Sequence, residues 1–110
     1  MQYKYFYGAQ AEQFSFYRIP KALFTEPNFR ELSTDAKVLY GILLDRMSLS
    51  LKNQWLDAQN KVYIIFTVEE IMDALNCANQ KATRLMVELE KQAGLIERKR
   101  QGLGRPNLIY

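Results

Sequence analysis

The stretch "TVEEIMDALNCANQKATRLMVELEKQAG", residues 67–94, constrains the fold more than any other part of the chain. Apolar side chains recur at Val68, Ile71, Met72 and Leu75, the spacing of one helix face. They recur at Ala82, Leu85, Met86, Leu89 and Ala93. Between the two stripes stand only Asn76, Cys77 and Ala78, with Cys77 read as a small buried contact rather than a reactive thiol. Thr67 followed by Glu70 forms a capping box, and Gly94 can take the positive φ of a helix end. Two short helices, ending near Asn76 and running from about Asn79 to Gln92, therefore meet across a tight turn. That is the helix-turn-helix arrangement, whose second helix enters a major groove N-terminus first.

The second helix leaves Gln80, Lys81, Thr83, Arg84, Glu88 and Lys91 on its outside. Arg and Lys pair with guanine edges, and Asn and Gln with adenine. Gln80, Lys81 and Arg84 are the best base-reading candidates, with Asn79 and Thr83 beside them. Such a helix corner also occurs in domains that bind no DNA, and the residues behind it decide between the readings. Leu95 to Gln101 reads as a strand, Gly102-Leu103-Gly104 as a tight tip, and Pro106 to Tyr110 as a returning strand. Arg98, Lys99, Arg100 and Arg105 against Glu97 carry the whole net charge of +3. A charged hairpin can simply keep a sheet edge soluble. This concentration of charge behind a helix-turn-helix favours a wing that meets a polyanion. The wing candidates are Arg98, Lys99, Arg100 and Arg105, with Gly102 and Gly104 letting the backbone approach the duplex.

The expected fold class is α+β: a winged helix-turn-helix, mainly helical, with a C-terminal β-hairpin wing and a short additional β-hairpin. The winged helix is expected over residues 18–110. Residues 1–17 hold seven of the fourteen aromatics. Alternation at Tyr3, Tyr5 and Tyr7, and at Phe14 and Phe16, suggests two short strands around Gly8. This arm either packs on its own domain or forms a dimer contact with another subunit. A short helix is expected from Arg18 to Phe24. Ser33 then caps a long helix whose stripe is Ala36, Leu39, Tyr40, Leu43, Leu44 and Met47, with Ser48 to Asn53 as loop. Trp55-Leu56 and Val62 to Phe66 read as strands about a turn at residues 57–60, with Asn60 left-handed.

With no histidine and one cysteine, the chain has no Ser-His-Asp or Cys-His catalytic set, no multi-ligand zinc site and no internal disulfide. Phosphate-binding glycine motifs are missing, and the carboxylates and tyrosines form no recognisable catalytic cluster. The chain is read as a cytoplasmic non-enzyme with no cofactor, no metal and no membrane partner.

"FSFYRIPKALF", "LSTDAKVLYGILLDRMSLSLKNQW", "VYIIFTVEEIMDALNC" and "GLIERKRQGLGRPNLIY" together resemble the N-terminal domain of RepA_N-type plasmid replication initiators, which is related to the N-terminal domain of DnaD. The likeness runs from about Phe14 to Tyr110. It implies a winged helix that binds origin repeats (iterons) in double-stranded DNA, acts as a homodimer, and recruits host replication proteins through a C-terminal domain outside this chain. Where the family commonly has Ser or Thr as the recognition-helix cap, this chain has Ala78, and Asn79 is the side chain placed to take over. The alternatives are a winged-helix transcription regulator, a primosome component and a protein-interaction winged helix.

Overall fold

The computed structural model describes residues 15–110. The arm candidates Tyr3, Tyr5, Tyr7 and Phe14, and the strands expected around Gly8, lie outside them. Phe16 lies within, 69% exposed.

Helix α1 is one turn, Ala22–Thr25, which buries Leu23 and is followed by a 3-10 turn at Pro27–Phe29. Helix α2 runs Thr34–Lys52. Ser33 caps it, its Oγ accepting from the Ala36 amide at 3.1 Å, and Asp35 lies in the positive first turn. Ala36, Leu39, Ile42 and Leu43 sink into the core. A Cβ on Gly41 would stand 2.9 Å from Ile19 Cγ1 and 3.1 Å from the Arg18 carbonyl oxygen, so residues 18–19 cross α2 closely. The expected loop at Ser48 to Asn53 is corrected: the helix continues through Lys52. No glycine or proline interrupts this stretch, and Ser48 Oγ donates to the Leu44 carbonyl at 3.3 Å. Ser50 is buried.

Asp57 organises the next turn. Its Oδ1 accepts the amides of Gln59 and Lys61 at 2.8 and 2.9 Å, and Asn60 takes φ 63°. The flanking strands are shorter than expected. Leu56 meets Val62 in one bridge, and Ile64 meets Ile109 in another. Past Ile64 the chain sends Phe66 into the core and turns into α3 at Thr67.

Helix α3 is Val68–Leu75, opened by the Thr67–Glu70 capping box and closed by Asn76 at φ 51°. Helix α4 is Asn79–Val87 and widens into a π turn over Glu88–Gln92. Its cap is Ala78, which offers no side-chain hydrogen bond, and Asn79 is the first helical residue. Ala82, Leu85, Met86 and Leu89 are buried, each large side chain stabilising the fold by about 1.5–3 kcal/mol. Gly94 stands at φ 64°, and the Leu95 amide donates back to the Leu89 carbonyl at 2.9 Å.

The wing has two short antiparallel strands, β1 (Arg98–Lys99) and β2 (Leu108–Ile109). Arg98 opposes Ile109 and Lys99 opposes Leu108, with Glu97 and Tyr110 exchanging both backbone bonds beside them. Ile109 turns its own amide and carbonyl the other way, to Ile64, both at 2.9 Å. The ladder falls short of the expected 95–101 and 106–110 because Pro106 brings no donor. There Gln101 Nε2 donates to the Pro106 carbonyl at 2.8 Å instead. Leu23, Leu39, Ile64, Ile71, Leu85 and Ile109 belong to one buried cluster that holds helices and wing together. This is the α+β winged helix expected from the sequence.

Candidate nucleic-acid interface

The outer face of α4 begins at its unguarded first turn. Asn79, Gln80, Thr83 and Arg84 are exposed, as are Val87 and Lys91. Gln80, Thr83, Arg84 and Val87 follow i, i+3, i+4, i+7, so they line one face of the helix. Arg84 forms no ion pair among the described residues. Lys81 is placed differently: it is half-buried, and its Nζ lies 2.6 Å from Asp35 Oδ2 at the start of α2.

Glu88 requires a correction. Its expected place was the outside of α4, yet it is only 6% exposed. Its carboxylate accepts the Ser33 amide at 2.8 Å and the Ser33 hydroxyl at 2.9 Å. The carboxylate thus sits at the positive end of α2, where an anion is favoured, with both oxygens satisfied. Lys81 and Glu88, seven residues apart, thus both fasten α4 and its π turn to the start of α2.

On the wing, Lys99, Arg100 and Arg105 are exposed and form no ion pair among the described residues. Gly102 and Gly104 shape the tip, and Leu103 projects from it, fully exposed. Arg98 is turned inward. Its Nε and Nη2 donate to Glu90 Oε1 at 3.1 and 2.8 Å, and its amide donates to Oε2 at 3.1 Å. The Arg98 hydrogen bonds hold the Glu90 carboxyl below the usual carboxylate range, against an opposing effect of burial. Arg98 therefore joins wing to helix, while the other three cations point outward.

Helix and wing share one face. A cleft of about 380 Å³ is lined by Asn79 of α4, by Arg98, Arg105 and Asn107 of the wing, and by Glu69 of α3. Glu69 keeps this cleft from being uniformly positive. At the end of the wing, Tyr110 donates its hydroxyl to Asp57 at 3.0 Å, tying the chain after β2 to the turn after α2. Burial, reinforced by that bond, pushes the Tyr110 phenol up, while amide bonds from Lys61 and then Gln59 lead in drawing Asp57 down. The described residues hold no cluster of metal-ligating side chains, and no described helix is long and apolar enough to cross a membrane.

Sequence reasoning missed Val87, Leu103, Asp35 and Glu90. Val87 was visible as an apolar residue in register with Gln80, Thr83 and Arg84, and Leu103 as the apolar residue between the two tip glycines. The other two act through partners that only the fold brings near.

The family model for the N-terminus of replication initiator protein A (RepA) matches residues 15–110. A curated 41 kDa protein of Lactobacillus helveticus is 32% identical over 92 residues, covering 84% of this chain and 26% of that protein. The chain thus spans about a quarter of that relative's length. Among solved structures, one described as the N-terminal domain of a DNA-binding protein has a TM-score of 0.79 at 40% identity, over 99% of this chain and 82% of that one. One described as a Rep–DNA complex has a TM-score of 0.79 at 40% identity, over 97% and 82%. One described as an MDR initiator has a TM-score of 0.76 at 41% identity, over 97% and 84%. With the winged-helix fold in place and the match running from residue 15 to residue 110, the chain belongs to the RepA N-terminus family of replication initiators.

Proposed function

We propose that this domain binds double-stranded DNA as the origin-recognising part of a plasmid replication initiator. The observation that carries the reading is the shared face: Asn79 at the start of α4 and Arg105 on the wing line one cleft. One duplex can therefore meet both. Gln80, Thr83 and Arg84 read base edges from the major groove, and Val87 offers an apolar contact to a thymine methyl. The same i, i+3, i+4, i+7 spacing serves base reading in homeodomain helices. The first amides of α4, left without a side-chain cap, suit a phosphate. Lys99, Arg100 and Arg105 hold phosphates from the wing, and Arg98 positions the wing through Glu90. The similarity to a Rep–DNA complex supports this reading.

A single winged helix spans few base pairs, so we place two copies on tandem origin repeats. Phe16, exposed beside Leu44 and Met47 on the outer face of α2, is the contact we assign to the homodimer. Host replication proteins would be recruited by regions beyond this chain, in proteins as long as its curated relative.

Selection of duplexes from a random library, followed by fluorescence titration on selected and scrambled sites, tests the reading. Arg84→Ala should weaken binding to the selected site by about 1–3 kcal/mol and relax discrimination at one base pair. Arg100→Ala should weaken both sites alike. Equal losses for Arg84→Ala on both would remove it from the reading face. Sedimentation at micromolar concentration tests the dimer, with Phe16→Ser expected to shift it toward monomer.

A further inference from the structure

We infer that Leu103, at the tip of the wing, enters the minor groove of the duplex that α4 reads. The inference rests on the DNA-binding reading and adds to it an uncharged contact.

Leu103 has a relative accessibility of 106%. A lone surface leucine is ordinary by itself, but the surroundings of this one are specific. Gly102 and Gly104 stand at φ 117° and 76°, where other residues are strained. Nothing lies within 4 Å of where a Cβ would project from either glycine, so crowding does not select glycine there. The tip therefore presents one side chain with bare backbone on both sides. It is a closed turn, with the Arg105 amide donating to the Gly102 carbonyl at 3.3 Å and the Gln101–Pro106 bond closing the arms below. A minor groove about 6 Å wide admits that narrow profile, and leucine is among the apolar residues that enter it. Exposed Arg100 and Arg105 flank the point, one on each arm. Two cations astride an apolar tip match two phosphate backbones astride a groove.

The test uses the whole chain and a duplex it has selected. Replacing adenine by 2,6-diaminopurine adds an amino group in the minor groove and leaves the major groove unchanged. Scanned through the A·T pairs beneath the wing, it should weaken wild-type binding about tenfold at one or two pairs, about 1.4 kcal/mol. Leu103→Ala should bind the unmodified duplex about tenfold more weakly with an unchanged salt slope, since no phosphate contact is lost. In that variant the diaminopurine penalty should vanish. An unaltered melting temperature checks that the exposed site has not disturbed the fold.

Undiminished binding by Leu103→Ala overturns the inference. So does a diaminopurine penalty that is equal in both proteins or absent from both. A chain that selects no duplex overturns the DNA-binding reading and this inference with it. A chain that selects and binds a duplex but is indifferent to Leu103 overturns the inference alone.

Discussion

Arg98 and Glu90 meet through three hydrogen bonds that join the base of the wing to the π turn of α4. The wing's first basic residue is therefore neutralised within the protein, and its guanidinium has a structural use. Arg98→Gln is expected to lower the melting temperature and DNA affinity while leaving the log–log salt slope unchanged. Arg100→Ala and Arg105→Ala should each reduce that slope by about 0.9. Titrations over a range of salt concentrations separate the two behaviours.

Two carboxylates make stability depend on pH. Glu90 is held low first by the side-chain bonds from Arg98, and Asp57 first by the Lys61 amide. Unfolding returns both to ordinary values, so the unfolded chain takes up these protons at higher pH than the folded one. Their stabilisation is full above about pH 5 and is lost as pH falls through the lowered native values. Melting curves across this range should show the decline, and Glu90→Gln should make it shallower.

Ser33 has two duties, capping α2 through Ala36 and donating twice to the buried Glu88. Ser33→Ala should cost about 1–2 kcal/mol as a lost cap, with more from the weakened carboxylate contact. Glu88→Ala should cost about 1–3 kcal/mol by leaving the Ser33 amide unsatisfied. Because the losses share one contact, the double variant should fall short of their sum. Urea unfolding measures all three.

Asp35 holds Lys81 at the side of α4 that meets α2. Asp35→Asn should free the ammonium for phosphate, strengthening binding to unrelated duplexes and steepening their salt slope by up to about 0.9. The ratio of selected to scrambled affinity should fall. An unchanged ratio would show that the pair has no part in discrimination.

Val87 is 37% exposed in the middle of a polar face. If it reads a thymine methyl, deoxyuridine at one position of the selected site should weaken wild-type binding about fourfold, near the 0.8 kcal/mol of one buried methyl group. Val87→Ala should show no such loss. Equal losses in both proteins would assign the methyl to another side chain.

Much of the fold was legible because its signals are local. Ser33, the Thr67–Glu70 box and Asn76 mark helix ends through bonds to backbone within a few residues, and the apolar stripes identify most of the buried faces, although Met47 at the end of the α2 stripe is exposed and Ile42 beside the stripe is buried. The order helix, turn, helix, hairpin follows from such signals alone, and with it the positions of Gln80, Arg84 and the wing cations. Local chemistry was less informative where nothing stopped an element, so α2 ran five residues past its expected end.

Tertiary structure decided which charges remain available. Lys81 and Arg84 look alike in the sequence, as do Arg98 and Arg100, and each pair is divided by where the fold brings a carboxylate. Asp35 reaches Lys81 across 46 residues, and Ser33 reaches Glu88 across 55. The nearer Glu90 meets Arg98 only because α4 ends in a π turn and the wing folds back beside it. Helix caps depend on bond geometry within one turn, and the sequence displays that directly. A charge pair depends on two elements packing at a given angle, which is a property of the whole core.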